Sequence, residues 1–271
     1  ITPNSGIDFY VKQLYINAGS TYEDDLYKIR FHSIIDSFYH DENGDYHYVR
    51  CPTEFYVADN VTSFPPCFNF EDVVFDVFSV PESFNFTYAC YKNCEFNLEM
   101  KMYGEFNWGV FRECTFNKPV TIGHLTGEDF FIDCKIKNLI VTENPISSLC
   151  VGGDYKTSEI EKLEFTDDVT RIESECFKNT RLSGEIDLSN ITYIGQKAFI
   201  YDDNPDGAGN CKFIFSQNPT VLHSHAFFGQ ANAEFEFNGE ILLTPDDIYA
   251  FSYCKNLKEM PVIKGCIPEK T

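Results

Sequence analysis

Apolar residues recur at every second position through short stretches of this chain: CEFNLEM from Cys94, CTFNKPVTI from Cys114, CKIKNLIV from Cys134, RLSGEIDL from Arg181 and NLKEMPVI from Asn256. That period is the signature of a strand with one buried face. Ahead of each such strand lies a turn rich in Asp, Asn, Ser and Pro with a second apolar pair, as in VPESFNF, FTDDVTRI, LSNITYI, NPTVLHS and VADNVTSF. Between turn and strand sits a shorter recurrent pattern: a small residue, an aromatic, two variable residues and a cysteine. It reads AFSYC at Ala250, VFREC at Val110, FFIDC at Phe130 and CYKNC at Cys90, with looser copies in CFKNT at Cys176 and AFFGQ at Ala226.

Taking the aromatic as the anchor of each copy gives Phe68, Tyr91, Phe111, Phe131, a degenerate Cys150, Phe177, Phe199, Phe227 and Phe251. The copies are therefore roughly 20 to 28 residues long, and one short strand plus one turn cannot bury its own apolar face. Neighbouring copies must stack. The expected architecture is a β-rich repeat solenoid with short parallel strands, about nine repeats over residues 52–271. The stretch SLCVGGDYKTSEIEKLEF around Cys150 is almost unrecognisable as a copy and predicts a loop or a break near residues 142–160.

Residues 1–51 lie outside the repeat pattern. Their alternating IDFYVKQLYI and LYKIRFHSI, and DENGDYHYV with its Asn43-Gly44 turn, predict strands and a hairpin. The simplest expectation is an N-terminal β-cap over the exposed edge of the first repeat, with a separate small β-domain as the alternative.

Composition narrows the function. With 42 acidic against 21 basic residues the formal charge is −21, which repels phosphate backbones and anionic lipid surfaces and argues against a nucleic-acid partner. No run of apolar residues is long enough to span a bilayer, so no membrane insertion is expected within this chain. The start ITPNSGIDFY lacks an initiator Met and the basic and apolar regions of a signal peptide, and reads as a processed or trimmed form.

The 11 cysteines invite chemical readings, and the odd count means that they cannot all pair within the chain. A structural zinc site needs four converging ligands, usually as two close pairs, whereas only Cys90 and Cys94 are close here. A cysteine at a fixed place in every copy is expected instead in an interior column, acting as a small apolar side chain with a weak donor. One or two disulfides between adjacent turns remain open.

The copies VTRIESECFKNTRL, ITYIGQKAFI, TVLHSHAFFG and DDIYAFSYCKNLKEMPVI resemble the BspA-type leucine-rich repeat of bacterial surface proteins. The likeness is strong from about Arg171 to Ile263 and looser from Phe55 to Val141, where phenylalanine replaces leucine at Phe96 and Phe116. Ile194-Gly195 is the one Ile-Gly dipeptide kept in its frame. The resemblance implies an extracellular or cell-surface binding protein, adhesive towards host matrix or another cell's surface protein. It implies no catalytic residue, no cofactor and no metal.

Local features fit that picture. DDNPDGAGN from Asp202 to Asn210 is an insertion that places Asp202, Asn204, Asp206 and Gly207 at calcium-loop positions, but the bidentate place falls on Phe213, so a plain surface insertion is the stronger reading. His223 and His225 flank Ser224 without a third ligand to complete a metal site, and are expected as exposed structural histidines. Gly-x-Ser-x-Gly, His-Glu-x-x-His and phosphate-loop signatures are all absent. The expected function is a non-enzymatic protein-binding or adhesion module, acting through side chains that alternate with buried ones: Glu95, Asn97, Glu99, Thr115, Asn117, Lys135 and Lys137. A carbohydrate-binding module, which would need exposed aromatic platforms from Trp108 or the 16 tyrosines, is the alternative, as is a structural spacer for another domain.

Overall fold

A computed structural model describes residues 7–16, 29–41, 43–61, 68–81, 84, 90–105, 110–126, 128–145, 149–151, 157–202, 207–243, 249–259 and 261–265. Cys67, Asn204, Asp206, Trp108 and Cys266 lie outside the described residues.

The described residues form a parallel β-solenoid with almost no helix. Its first coil holds β1 (Ile7–Val11) and β2 (Gln13–Ile16). The second holds β3 (Ile29–Ser33), a hairpin of β4 (Ile35–His40) and β5 (Tyr46–Arg50), and β6 (Thr53–Val57); the third holds β7 (Phe68–Glu71) and β8 (Val74–Ser79). Three-strand coils follow: β9 (Cys90–Lys92), β10 (Glu95–Phe96) and β11 (Met100–Glu105); β12 (Phe111–Arg112), β13 (Thr115–Phe116) and β14 (Val120–Thr126); β15 (Phe131–Ile132), β16 (Lys135–Ile136) and β17 (Leu139–Val141); β18 (Cys150–Val151), β19 (Ser158–Ile160) and β20 (Leu163–Phe165). The last coils hold β21 (Arg171–Ile172), β22 (Thr180–Leu182), β23 (Gly184–Leu188), β24 (Tyr193–Ile194), β25 (Cys211–Phe215), β26 (Thr220–Leu222), β27 (Glu234–Glu236), β28 (Ile241–Leu243) and β29 (Ile263–Gly265).

Strands of successive coils stack along each side, in register except for shifts between Thr53 and Glu54 and between Tyr103 and Gly104. One side runs β1-β3-β7-β9-β12-β15-β18, the next β2-β6-β8-β10-β13-β16-β19-β22, the third β11-β14-β17-β20. Later coils add β23-β25-β27 and β21-β24-β26-β28-β29. The repeat anchors form one interior column in which the rings lie face over face: Tyr91 on Phe111 at 4.8 Å, Phe111 on Phe131 at 5.6 Å, Phe177 on Phe199 at 5.3 Å and Phe227 on Phe251 at 5.5 Å. Offset stacking at this spacing adds about 0.5–1.5 kcal/mol per pair beyond the burial itself.

Two expectations are corrected by this column. The residue beneath Tyr91 is Phe70, not Phe68, because β7 and β9 pair Phe70 with Tyr91. Cys67-Phe68 imitates the small-aromatic pair but lies two positions early. The column also begins before residue 52: Phe31 stacks on Phe70 at 5.4 Å and Phe9 on Phe31 at 5.9 Å. Strands between residues 7 and 57 thus contribute two rows to the same ladders, which continue across residues 51 and 52 with one register shift, between Thr53 and Glu54 where β6 pairs with β8, and among the described residues only β4–β5 stands apart as an antiparallel pair.

In the stretch expected as a loop or break near residues 142–160, residues 146–148 and 152–156 lie outside the described residues, and the described ones carry the ladders. The Cys150 N–H donates to the Cys176 carbonyl at 2.9 Å, as the Phe131 N–H does to Leu149 and the Phe177 N–H to Ala198. Cys150 fills the aromatic's place with a smaller side chain, and β16–β19 and β17–β20 stay paired on the other sides. What changes here is the strand around the anchor. After β18 it becomes a tight turn, at 174–179, 196–199 and 224–229.

Candidate interaction face

The bend that carries each coil from one side to the next fixes which residues face outward. Two positions after the anchor, the backbone enters the left-handed region at Asp72, Asn93, Glu113, Asp133, Asn179, Gly229 and Tyr253. Asp, Asn and Gly tolerate this region best, which is why a position that reads as variable in sequence is mostly Asp, Asn or Gly. The next residue turns inward. There Cys94, Cys114 and Cys134 donate their thiol protons to the anchor carbonyl of the preceding row, Phe70, Tyr91 and Phe111, at 3.3, 3.4 and 3.4 Å. Thr180, Gln230 and Cys254 make the same bond to Cys150, Phe199 and Phe227 at 2.8, 2.8 and 3.1 Å.

The column is therefore a donor column, in which thiol, hydroxyl and amide interchange because each can donate to the anchor carbonyl of the preceding row. Cys90 and Cys176 sit elsewhere, just before the anchor, where Ala198, Ala226 and Ala250 stand in later rows, and Cys211 lies on β25. The nine described cysteines are all free thiols. Burial pushes the thiols of Cys94, Cys114 and Cys176 well above their ordinary value, and those of Cys150 and Cys211 up to about 12. A thiol-specific disulfide reagent at pH 8 is accordingly expected to leave these five unlabelled in the folded protein and to label all five after denaturation, as read by peptide mass mapping. Rapid labelling of Cys114 in the folded state would contradict a sealed column.

On β10, β13 and β16 the inward residues are Phe96, Phe116 and Ile136, all buried. Glu95, Thr115 and Lys135 stand opposite one another on the outer surface, followed by Glu159 on β19 and Arg181 on β22. Asn97, Asn117 and Lys137 follow these strands by one residue. Asn117 Nδ2 donates to Glu95 and to Asn97 at 2.7 Å each, Asn97 Nδ2 to Asp76 at 3.2 Å, and Arg181 pairs with Glu159 at 2.8 Å. Lys135 and Lys137 are exposed and form no ion pair with the described residues. The structure thus brings six of the expected face residues into adjoining rows. Glu99 is set apart: β10 ends at Phe96, and Glu99 lies beyond the next bend, lining a groove with Phe78, Val80, Pro81, Phe84 and Lys101 beside the edge strand β11. Acidic, basic and amide side chains alternate on this face, and none of the outward residues on β10, β13, β16, β19 and β22 is aromatic; the stacked pair Tyr15–Tyr56 lies on β2 and β6 of the same sheet.

The exposed aromatic residues, which the sequence could not place, are concentrated elsewhere: Phe9, Tyr10, Tyr15, Phe38, Tyr39 and Tyr48 all lie in the first two coils. His223 and His225 are half-buried rather than exposed. Each packs against a tyrosine, His223 on Tyr193 at 5.0 Å and His225 on Tyr249 at 5.2 Å, and Ser224 Oγ lies 2.6 Å from His225 Nδ1. Phe213, at the bidentate place of the calcium-like pattern, is buried in β25. Among the described residues no group of three His, Cys, Asp or Glu is placed to hold a metal ion, and no helix is long and apolar enough to cross a membrane.

The model of the BspA type leucine-rich repeat region matches this chain in six copies over residues 82–206. The stacked ladders extend beyond both ends of that match. No curated protein and no solved structure matches the chain.

Proposed function

Residues 82–206 are a BspA-type leucine-rich repeat region, and from that premise we propose that the chain is a non-enzymatic protein-binding or adhesion module at a bacterial cell surface. Repeat regions of this type are typically found in surface or secreted proteins, and leucine-rich repeats commonly bind proteins. The observation that carries the reading is the in-register outer row Glu95–Thr115–Lys135–Glu159–Arg181, a polar row with the buried side chains of Phe96, Phe116, Ile136, Ile160 and Leu182 behind it. A surface of this kind binds through area and charge pattern, without reacting groups.

At −21 the protein favours basic patches on its partner, and long-range attraction of that kind weakens as salt is raised. The chain is expected to be retained on immobilised extracellular-matrix proteins at low salt and released at high salt. Glu95→Lys with Glu159→Lys, both in the outer row, should weaken retention by about threefold to tenfold, mostly through slower association. Retention unchanged by the double substitution would remove this face from the contact. Retention on a glycan array alone would move the claim to carbohydrate recognition, a reading that the exposed tyrosines of the first coils favour.

A further inference from the structure

The second coil contains an insertion that the ladder does not use. Between β7 and β8, β9 and β10, β12 and β13, and β15 and β16 the passage from the first side to the second takes a single bend, as at Asp72, whereas β3 and β6 are separated by the whole β4–β5 hairpin. Among the described residues β4 and β5 pair only with each other. A two-stranded hairpin is marginal by itself, yet its turn is over-determined. Asp41 Oδ1 accepts from the N–H groups of Asn43 and Asp45 at 2.9 Å each, and Asp41 Oδ2 lies 3.0 Å from His47 Nε2. The Gly44 N–H donates to the Asp41 carbonyl at 3.0 Å. At the base, Arg50 pairs with Asp72 at 3.0 Å and the Cys51 N–H reaches the Ile34 carbonyl at 2.7 Å.

This firmly held element presents large apolar side chains to solvent on both faces. Phe38 and Tyr48 stand opposite each other on one face, 60% and 54% exposed, and Tyr39, 54% exposed, lies over His47 at 5.1 Å on the other. Exposed apolar groups in such number mark contact surfaces, and rigid aromatics lose little freedom on binding. Charge selects the occupant. Asp36 and Asp45 on the hairpin are exposed carboxylates, the whole chain carries −21, and tyrosine rings receive cations: within this protein the Arg171 guanidinium sits 3.8 Å over the Tyr193 ring.

We infer that the β4–β5 hairpin is a docking element for an arginine- or lysine-bearing protein segment, with Phe38, Tyr39 and Tyr48 as its anchors. The inference rests on the protein-binding reading and assigns to the hairpin the aromatic anchors that the repeat face lacks.

The test measures the affinity of a labelled oligo-arginine peptide by fluorescence anisotropy at physiological salt. Phe38→Ser/Tyr39→Ser/Tyr48→Ser leaves the net charge unchanged and is expected to weaken binding about tenfold or more, as loss of buried aromatic anchors does. Glu95→Lys/Glu159→Lys, on the repeat face, should weaken it only about twofold, the range of a remote charge effect. A second variant that joins Ile34 to Cys51 through a short glycine linker should bind as weakly as the triple variant; hydrogen exchange over β6–β8 verifies that each remains folded. Equal binding by wild type and both hairpin variants overturns the inference in favour of diffuse charge. Loss of glycan-array binding with oligo-arginine binding intact overturns it in favour of a sugar, and a dimer that the triple variant abolishes overturns it in favour of a second copy. If matrix-protein retention responds to the repeat-face variants alone, the hairpin is excluded while the protein-binding reading stands. If wild type is retained on no protein, that reading falls too.

Discussion

Phe111→Ala is expected to lower the unfolding free energy by about 3–5 kcal/mol, the usual cost of emptying a fully buried phenylalanine site. The Phe111 ring is sealed from solvent and stacks between Tyr91 and Phe131, while the rings of Phe96, Phe116 and Phe130 meet it edge-on at 5.6, 5.3 and 5.3 Å. The strands that could close over the space are paired to rows on either side, so collapse is limited. Urea denaturation measures the loss. Because each row of a solenoid touches only its neighbours, amide exchange should accelerate most at Tyr91, Phe111 and Phe131 and least at Phe227. A loss below about 1 kcal/mol, or acceleration spread evenly along the chain, would contradict a tightly packed column with nearest-neighbour coupling.

Gly229→Ala is expected to cost more than about 2 kcal/mol, for two separate reasons. Gly229 has φ +76°, in the left-handed region, where a side chain alone costs about 1–2 kcal/mol. In the equivalent rows that strain is borne by Asn93, Glu113 and Tyr253, so it is not what demands glycine here. The second reason is local: a Cβ at Gly229 would overlap the Tyr201 carbonyl, which the row below brings close by its own hydrogen bond, Tyr201 N–H to the Phe228 carbonyl at 2.8 Å. Gly44 makes the control. It has φ +86° but open space around it, so Gly44→Ala should cost only the conformational part, about 1–2 kcal/mol. Thermal denaturation of the two variants side by side separates the contributions, and equal losses would show that the clash relaxes away.

The candidate face was legible in part, and the reason is the strand period. Once Phe96, Phe116 and Ile136 are assigned inward, Glu95, Thr115 and Lys135 must point outward, and they do. Glu99 follows the same alternation in sequence but not in space, because the bend between Phe96 and Met100 moves the chain to another side of the solenoid. A change of side leaves no mark in a two-residue period.

The repeat length, the aromatic anchors from Tyr91 onward, the buried cysteines and the solenoid itself follow from sequence alone, because each coil must bury the same face against the next and so repeats the same residue types. The tertiary structure alone decided four other matters. It placed Phe9 and Phe31 in the anchor column, where irregular spacing around the hairpin conceals them. It carried the column through Cys150, a substitution that packing accepts and pattern matching does not. It resolved the cysteine at the bend as one of several interchangeable donors to a backbone carbonyl. And it placed most of the exposed aromatics at the start of the array, with Tyr103, Tyr249 and Tyr253 further along, since alternation tells which side chains share a face but not whether another element covers that face.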